Sequence, residues 1–133
     1  MTNDYLCTRQ QFGRPLASFQ VLAHRLVDMY VELEQARSAV MMAAGHLGAD
    51  KSLRDLNISA AKNLLGRVGQ LVAEESIQLH GGIGMTDEYR LGHFAKRIVM
   101  ADHRFGDVDY HLERFITSSR FNESNGKLTG ESA

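Results

Sequence analysis

"VLAHRLVDMYVELEQARSAVMMA", residues 21–43, places apolar side chains at Leu22, Leu26, Met29, Leu33, Ala36, Val40 and Ala43. The steps alternate four and three without a fault, which sets all of them along one seam of an α-helix. A strand needs a period of two, and this stretch has none. Strict four-three alternation is the pattern of a bundle or coiled-coil seam. Pro15 suits a first helical turn. The spacing therefore predicts one helix from just after Pro15 to about Leu47, roughly 50 Å long at 1.5 Å per residue. "GHLGADKS" (45–52) supplies a glycine-rich stop.

A second seam runs from about Ser52 to Leu79, with Ile58, Ala61, Leu65, Val68 and Val72 on one face and Leu64 and Leu71 beside it. It ends in "QLHGGIGMTDEYR" (78–90), where Gly81, Gly82 and Gly84 fall within four positions. Each glycine costs a helix about 1 kcal/mol relative to alanine, so the helix breaks here. Either the chain needs a tight turn, or something must approach its backbone closely. Thr86, Asp87 and Glu88 then offer capping oxygens and negative charge for a third helix. That helix carries Leu91, Phe94, Ala95, Ile98 and Ala101. After Gly106 a short fourth carries Val108, Leu112 and Phe115.

Long helices joined by short turns make an up-down helical bundle, so the expected fold class is all-α, without strands. The domain should span residues 1–116, with "TSSRFNESNGKLTGESA" (117–133) a polar, frayed tail. At the front, Tyr5, Leu6 and Cys7 read as the end of a helix that breaks at Gly13. The chain's 133 residues suffice for one domain with a core. Its net charge of −1 is interspersed, which argues against nucleic acid. The single cysteine, Cys7, excludes an internal disulfide. No apolar run could span a bilayer and no secretory signal opens the chain, so a cytoplasmic location is expected.

"RQQFGRPLASFQ" (9–20) and "EESIQLHGGIGMTDEY" (74–89) resemble the C-terminal helical domain of the acyl-CoA dehydrogenases. The specific elements are Arg-x-Gln-Phe-Gly followed by Pro-Leu and Phe-Gln, and Gln-Leu-His-Gly-Gly-x-Gly followed by Thr and Glu. The resemblance covers residues 1–116. It implies a four-helix bundle with most of its first helix missing, within an FAD-dependent enzyme that desaturates the α,β carbons of acyl-CoA thioesters. A proton would leave Cα while hydride passes from Cβ to flavin N5. The domain would pack a homo- or hetero-oligomer of acyl-CoA dehydrogenase subunits and reach across to a neighbour's flavin.

By the same resemblance, Arg9 would meet the FAD pyrophosphate, for which a guanidinium fork is suited. Gln11, Phe12 and Gln20 would contact the cofactor, while Gln78, Gly81 and Gly82 would admit its adenine end. The residues alone leave blander readings open: a solvated arginine, an exposed amide, a plain inter-helix turn. His80 reads as a packed or capping histidine. Many members of the family carry a catalytic glutamate before a glycine some two dozen residues beyond the Gly-rich turn. Counting from Gly81 reaches Phe105-Gly106, so no catalytic residue is assigned to this chain. The resemblance puts the base on the missing first helix or on another subunit. Asp107 is expected to cap the last helix. Asp102, His103, Asp107, Asp109 and His111 straddle a helix break and share no face, so no metal site is expected. The alternative function is a non-catalytic helical assembly protein derived from that family.

Overall fold

The computed structural model describes the backbone of residues 1–129 and the side chains of residues 1–120. Five α-helices lie among the described residues: α1 (Thr2–Thr8), α2 (Gln20–Gly45), α3 (Lys51–His80), α4 (Leu91–Asp102) and α5 (Val108–Thr129). The all-α expectation holds, and the two long seams become α2 and α3.

Four boundaries differ from the sequence reading, each for a local reason. Pro15 does not open a long helix. Leu16–Ser18 form a 3-10 turn, and Phe19 is extended (φ −86°, ψ 114°), so α2 starts only when Leu22 and Ala23 donate to the Phe19 carbonyl. Two short strands do exist. Gln10–Gln11 pair antiparallel with Arg14–Pro15 around Phe12 and Gly13, whose φ of 53° and 77° make a type I′ hairpin turn. Strands of two residues are too short to show alternation. Thr86, Asp87 and Glu88 do not start α4, which begins at Leu91. Thr86 instead donates its hydroxyl to the Ile83 carbonyl (2.8 Å), closing a 3-10 turn over Gly81–Met85. Lastly, α5 runs on to Thr129, through most of the expected frayed tail. Polar composition disfavours burial, not helicity, and no proline interrupts 117–129. Residues 130–133 of that tail lie outside the described residues.

The chain divides into two compact units, one of residues Met1–Gln35 with Val68–Ala101, the other of Ala36–Arg67 with the residues from Asp102 onward. The first is centred on Leu6, Met29 and Leu79, all at most 5% exposed, with Tyr5, Leu16, Ala17, Leu22, Leu26 and Val72 packed around them. Fully burying one such leucine stabilises by about 1.5–3 kcal/mol. Arg25 on α2 grips Glu75 on α3 with two bonds, Nε to Oε2 at 2.7 Å and Nη2 to Oε1 at 3.0 Å. That hydrogen bond raises the Arg25 pKa, with the Glu75 charge adding to it and desolvation opposing.

In the second unit Ser59, Ala61 and Ala36 are buried. Asp50 caps α3, its carboxylate accepting from the Ser52 and Leu53 amides at 3.0 and 3.2 Å. Asp107 caps α5 as expected, accepting from the Tyr110 amide at 2.9 Å. Asn63 donates to the Val108 carbonyl (3.0 Å) and Lys62 to the Asp102 carbonyl (3.2 Å). Gly66 lets these segments meet, for a Cβ there would overlap the Asp102 carboxylate and the Val108 side chain. The seams are only partly covered. Met29, Ala36, Ala61 and Val68 are buried, whereas Leu33 (42%), Val40 (45%) and Leu65 (38%) stay exposed.

Candidate cofactor site

The seven candidate cofactor residues, Arg9, Gln11, Phe12, Gln20, Gln78, Gly81 and Gly82, all fall in the first unit and all are exposed. Arg9 directly follows α1 in extended conformation (φ −72°, ψ 124°). Its backbone is fixed on both sides, its amide donating to the Tyr5 carbonyl (2.8 Å) and its carbonyl accepting from Leu16 (2.8 Å). The guanidinium stays exposed, with no ion pair among the described residues. It remains available to an anion. The hairpin then swings Phe12 out to 91% exposure, with Phe19 edge-on at 6.1 Å and the Arg14 guanidinium over the Phe19 ring at 4.1 Å. Gln11 folds its amide back onto the Gln10 carbonyl (2.8 Å), and Gln20 is the first residue of α2.

The other half of the site is the end of α3. His80 is 4% exposed and donates Nδ1–H to the Ser76 carbonyl (2.7 Å), as a packed histidine at a helix end. Its ring stacks on Tyr5 at 4.3 Å and lies 5.2 Å from Tyr89, while the Tyr5 hydroxyl donates to the His80 carbonyl (3.2 Å). Tyr5 and His80 thus fasten α1 to the last residue of α3. Arg9 lies four residues after Tyr5 and Gly81 is the neighbour of His80, so one aromatic clamp sets both. The roles of Tyr5 and Tyr89 escaped the sequence reading. A stack between residues 75 apart leaves no periodic signal, although a buried-looking tyrosine beside a polar helix end is the pattern to search for.

The three glycines now separate by cause. Gly81 sits at φ +64°, which an L side chain adopts only with strain. A Cβ on Gly84 would press on the His80 Cβ and the Ile77 carbonyl, both at 3.0 Å, so that position is fixed by internal packing. Gly82 has neither constraint. Its φ is ordinary and nothing lies within 4 Å of an added Cβ. Its open side is where an outside group can come against the backbone. A flat, anionic ligand fits these features: an open glycine backbone, an exposed ring at Phe12 and an unpaired guanidinium at Arg9.

In the second unit, Phe105 is 94% exposed at φ +63°. Of the two carboxylates that flank it in sequence, only Asp107 is engaged in a hydrogen bond among the described residues. Asp107 caps α5, and Asp102 has a buried Oδ1 facing Gly66 with no hydrogen-bond partner among the described residues. Among the described residues no three His, Cys, Asp or Glu side chains gather as a metal-ligand set, and no helix is long and apolar enough to cross a membrane.

Comparison with known proteins agrees with this architecture. Residues 1–121 match the family model described as acyl-CoA dehydrogenase, C-terminal domain. Acyl-CoA dehydrogenase IpdE2 of Mycobacterium tuberculosis is 39% identical over 97 residues, covering 73% of this chain and 29% of the relative. Among solved structures, the FAD complex of PigA superposes with a TM-score of 0.80 at 26% identity, covering 91% of this chain and 31% of that one. The ChsE4–ChsE5 complex from Mycobacterium tuberculosis gives 0.78 at 26% identity, covering the whole of this chain and 34% of that one. The chain thus spans about a third of the length of the relatives it matches. A helical chain whose sequence matches that family model along nearly its whole length belongs to the acyl-CoA dehydrogenase family, and the part of that family it represents is the C-terminal domain.

Proposed function

We propose that this chain supplies the C-terminal, flavin-contacting and assembly-forming part of an FAD-dependent acyl-CoA dehydrogenase, in a homo- or hetero-oligomer. The single observation that carries the reading is Gly82. It is an exposed glycine with ordinary φ and an empty Cβ direction, adjoining a turn fixed to the segment that presents Arg9. Bound FAD would supply the acceptor for hydride from the acyl thioester. This chain's own part is to bind and orient. Arg9 would hold the pyrophosphate, Phe12 and Gln11 would lie against the cofactor, Gln20 would hydrogen-bond it, and Gln78, Gly81 and Gly82 would admit the adenine end. In the chemistry of the complete assembly, the base that takes the Cα proton would come from elsewhere.

Arg9→Ala and Gly82→Val test this in the flavin-loaded assembly. A charge-assisted contact is worth roughly 1.5–3 kcal/mol, so Arg9→Ala should weaken FAD at least about tenfold. Gly82→Val should weaken it further by excluding the ligand, with helical content by circular dichroism unchanged. Gly82 is the better probe than Gly81, whose positive φ would strain any replacement. Unchanged FAD affinity in both variants refutes the assignment. The second reading, a non-catalytic assembly protein, is favoured by Phe105 in the place where the family resemblance leads one to look for a carboxylate. It predicts a colourless oligomer, where the first predicts a yellow one whose flavin is bleached by acyl-CoA.

A further inference from the structure

His80 is a costly residue for the fold to keep. Its ring is 4% exposed, and Nδ1 lies 2.7 Å from the Ser76 carbonyl, which only an N–H can meet. A neutral ring that donates through Nδ1 leaves Nε2 a bare lone pair. Nε2 is indeed buried without a hydrogen-bond partner among the described residues. A buried acceptor without a donor is a cost that leucine or phenylalanine in the same place would not carry. Leucine cannot stack, however, and phenylalanine cannot donate. Histidine does both: its ring stacks, and its N–H ties the plane of that ring to the helix beneath.

Separate segments meet on this fixed residue. From α1, Tyr5 stacks on the ring with the two planes 22° apart, and its hydroxyl donates to the His80 carbonyl, a group that a helix end leaves unpaired. The glycine turn lies against the His80 Cβ, so close that a Cβ on Gly84 would come within 3.0 Å of it. Tyr89, from the connection to α4, tilts against the ring and stands edge-on to Tyr5 at 6.3 Å. The route from Tyr5 to Arg9 is a single hydrogen bond, the Arg9 amide donating to the Tyr5 carbonyl at 2.8 Å. The route from His80 to Gly82 is two peptide bonds, through Gly81. The exposed guanidinium and the open glycine backbone therefore share one support. A ligand that met two separately mobile segments would have to order both, whereas a common support orders them at folding.

We propose that His80 is a positioning residue that makes Arg9 and the Gly81–Gly82 turn a single site, so that holding either segment holds the other and the grip of Arg9 on the cofactor depends on the ring. The inference rests on the flavin-contacting reading and adds that its two contacts are not independent. Independent contacts add in free energy, and contacts joined by a shared element do not. The shared support also has a signature without any ligand, because a change at His80 must be felt at Arg9.

The test is a double-mutant cycle on FAD affinity in the flavin-loaded assembly, paired with amide hydrogen exchange on the full chain alone. With the ring intact, Arg9→Ala should weaken FAD at least about tenfold, and in a His80→Leu background it should weaken FAD less than about threefold. Tyr5→Phe keeps the stacked ring and should preserve most of the cost of Arg9→Ala, whereas Tyr5→Leu should reduce that cost as His80→Leu does. Without ligand, His80→Leu should speed exchange at the Arg9 and Leu16 amides at least about tenfold and leave the middle of α2 unchanged. Equal losses from Arg9→Ala with and without the ring overturn the proposal. So does exchange at Arg9 and Leu16 that ignores His80→Leu, or that rises equally along α2, which would reduce the ring to packing. An Arg9→Ala change without effect on FAD in the otherwise wild-type assembly strikes the flavin reading instead, and the exchange result then decides for or against the shared support by itself.

Discussion

Glycine 66 shows how one missing side chain decides a local contact. It lies within α3, where glycine is costly, and sequence reasoning passed over it. The structure shows that its hydrogen faces the Asp102 carboxylate and Val108, so a methyl group would have to displace one of them. Overpacking of this kind costs about 1–3 kcal/mol. Gly66→Ala should therefore lower the thermal midpoint despite its better helix propensity. Gly92→Ala is the control, for nothing lies within 4 Å of its added Cβ inside α4. That change should be neutral or stabilise by up to about 1 kcal/mol. Calorimetry on the two variants compares them directly. Gly66→Ala as stable as Gly92→Ala would show that the Asp102 contact yields freely.

At the scale of the element, charge and caps set where helices begin and what ties them. Asp50→Ala should cost about 1 kcal/mol, since it strips the acceptor from two amides at the start of α3. Asp55 makes a different prediction. It receives Lys51 at 3.1 Å and Arg114 of α5 at 3.2 Å. The Lys51 hydrogen bond holds its pKa below the usual carboxylate value, with the charges of Lys51, Arg114 and Arg54 acting in the same direction and desolvation opposing them. A group whose folded pKa is depressed stabilises above its unfolded pKa, near 3.9, and loses that contribution as pH falls through the folded value. Thermal midpoints measured downward from about pH 5 should fall less steeply for Asp55→Asn than for the wild type. Equal slopes would show that these ion pairs contribute nothing. These elements also show what a sequence can reveal. The four-three spacing of Leu22 to Ala43 identified α2, and the glycines at 81, 82 and 84 identified the end of α3, because both signals are local. The start of α2 at Gln20 and the hairpin at Phe12–Gly13 were illegible, being set by two or three backbone angles without periodicity. The continuation of α5 past residue 117 was illegible because a polar run carries no burial pattern, although its residues cost a helix little. The Tyr5–His80 clamp needs contact across 75 residues, and no spacing encodes it.

At the scale of the whole molecule the question is whether this chain can carry out chemistry unaided. Desaturation of a thioester needs a base within about 3 Å of the α-proton, with a pKa suited to taking it. Phe105 has no ionisable group, and the structure now accounts for the carboxylates on either side of it. Asp107 is committed to the Tyr110 amide, and releasing it would uncap α5. Asp102 holds Oδ1 buried against Gly66 of α3, without a hydrogen-bond partner among the described residues. Asp107 thus serves the fold, and the Asp102 Oδ1 is turned into the protein rather than toward solvent. The purified chain, given FAD, acyl-CoAs of several lengths and an artificial electron acceptor, should therefore show no sustained acceptor reduction. Turnover should appear only when a polypeptide that carries a base is added. Replacing Phe105 by glutamate would place a carboxylate on an exposed turn whose Phe105 carbonyl accepts Nε2–H of His111 at 3.0 Å. In a complete assembly, Phe105→Glu should therefore gain activity if a missing base is what limits it. Steady turnover by the chain alone that vanishes in Asp102→Asn or Asp107→Asn would place the base within this domain after all, and would mean that one of these two contacts opens during the reaction.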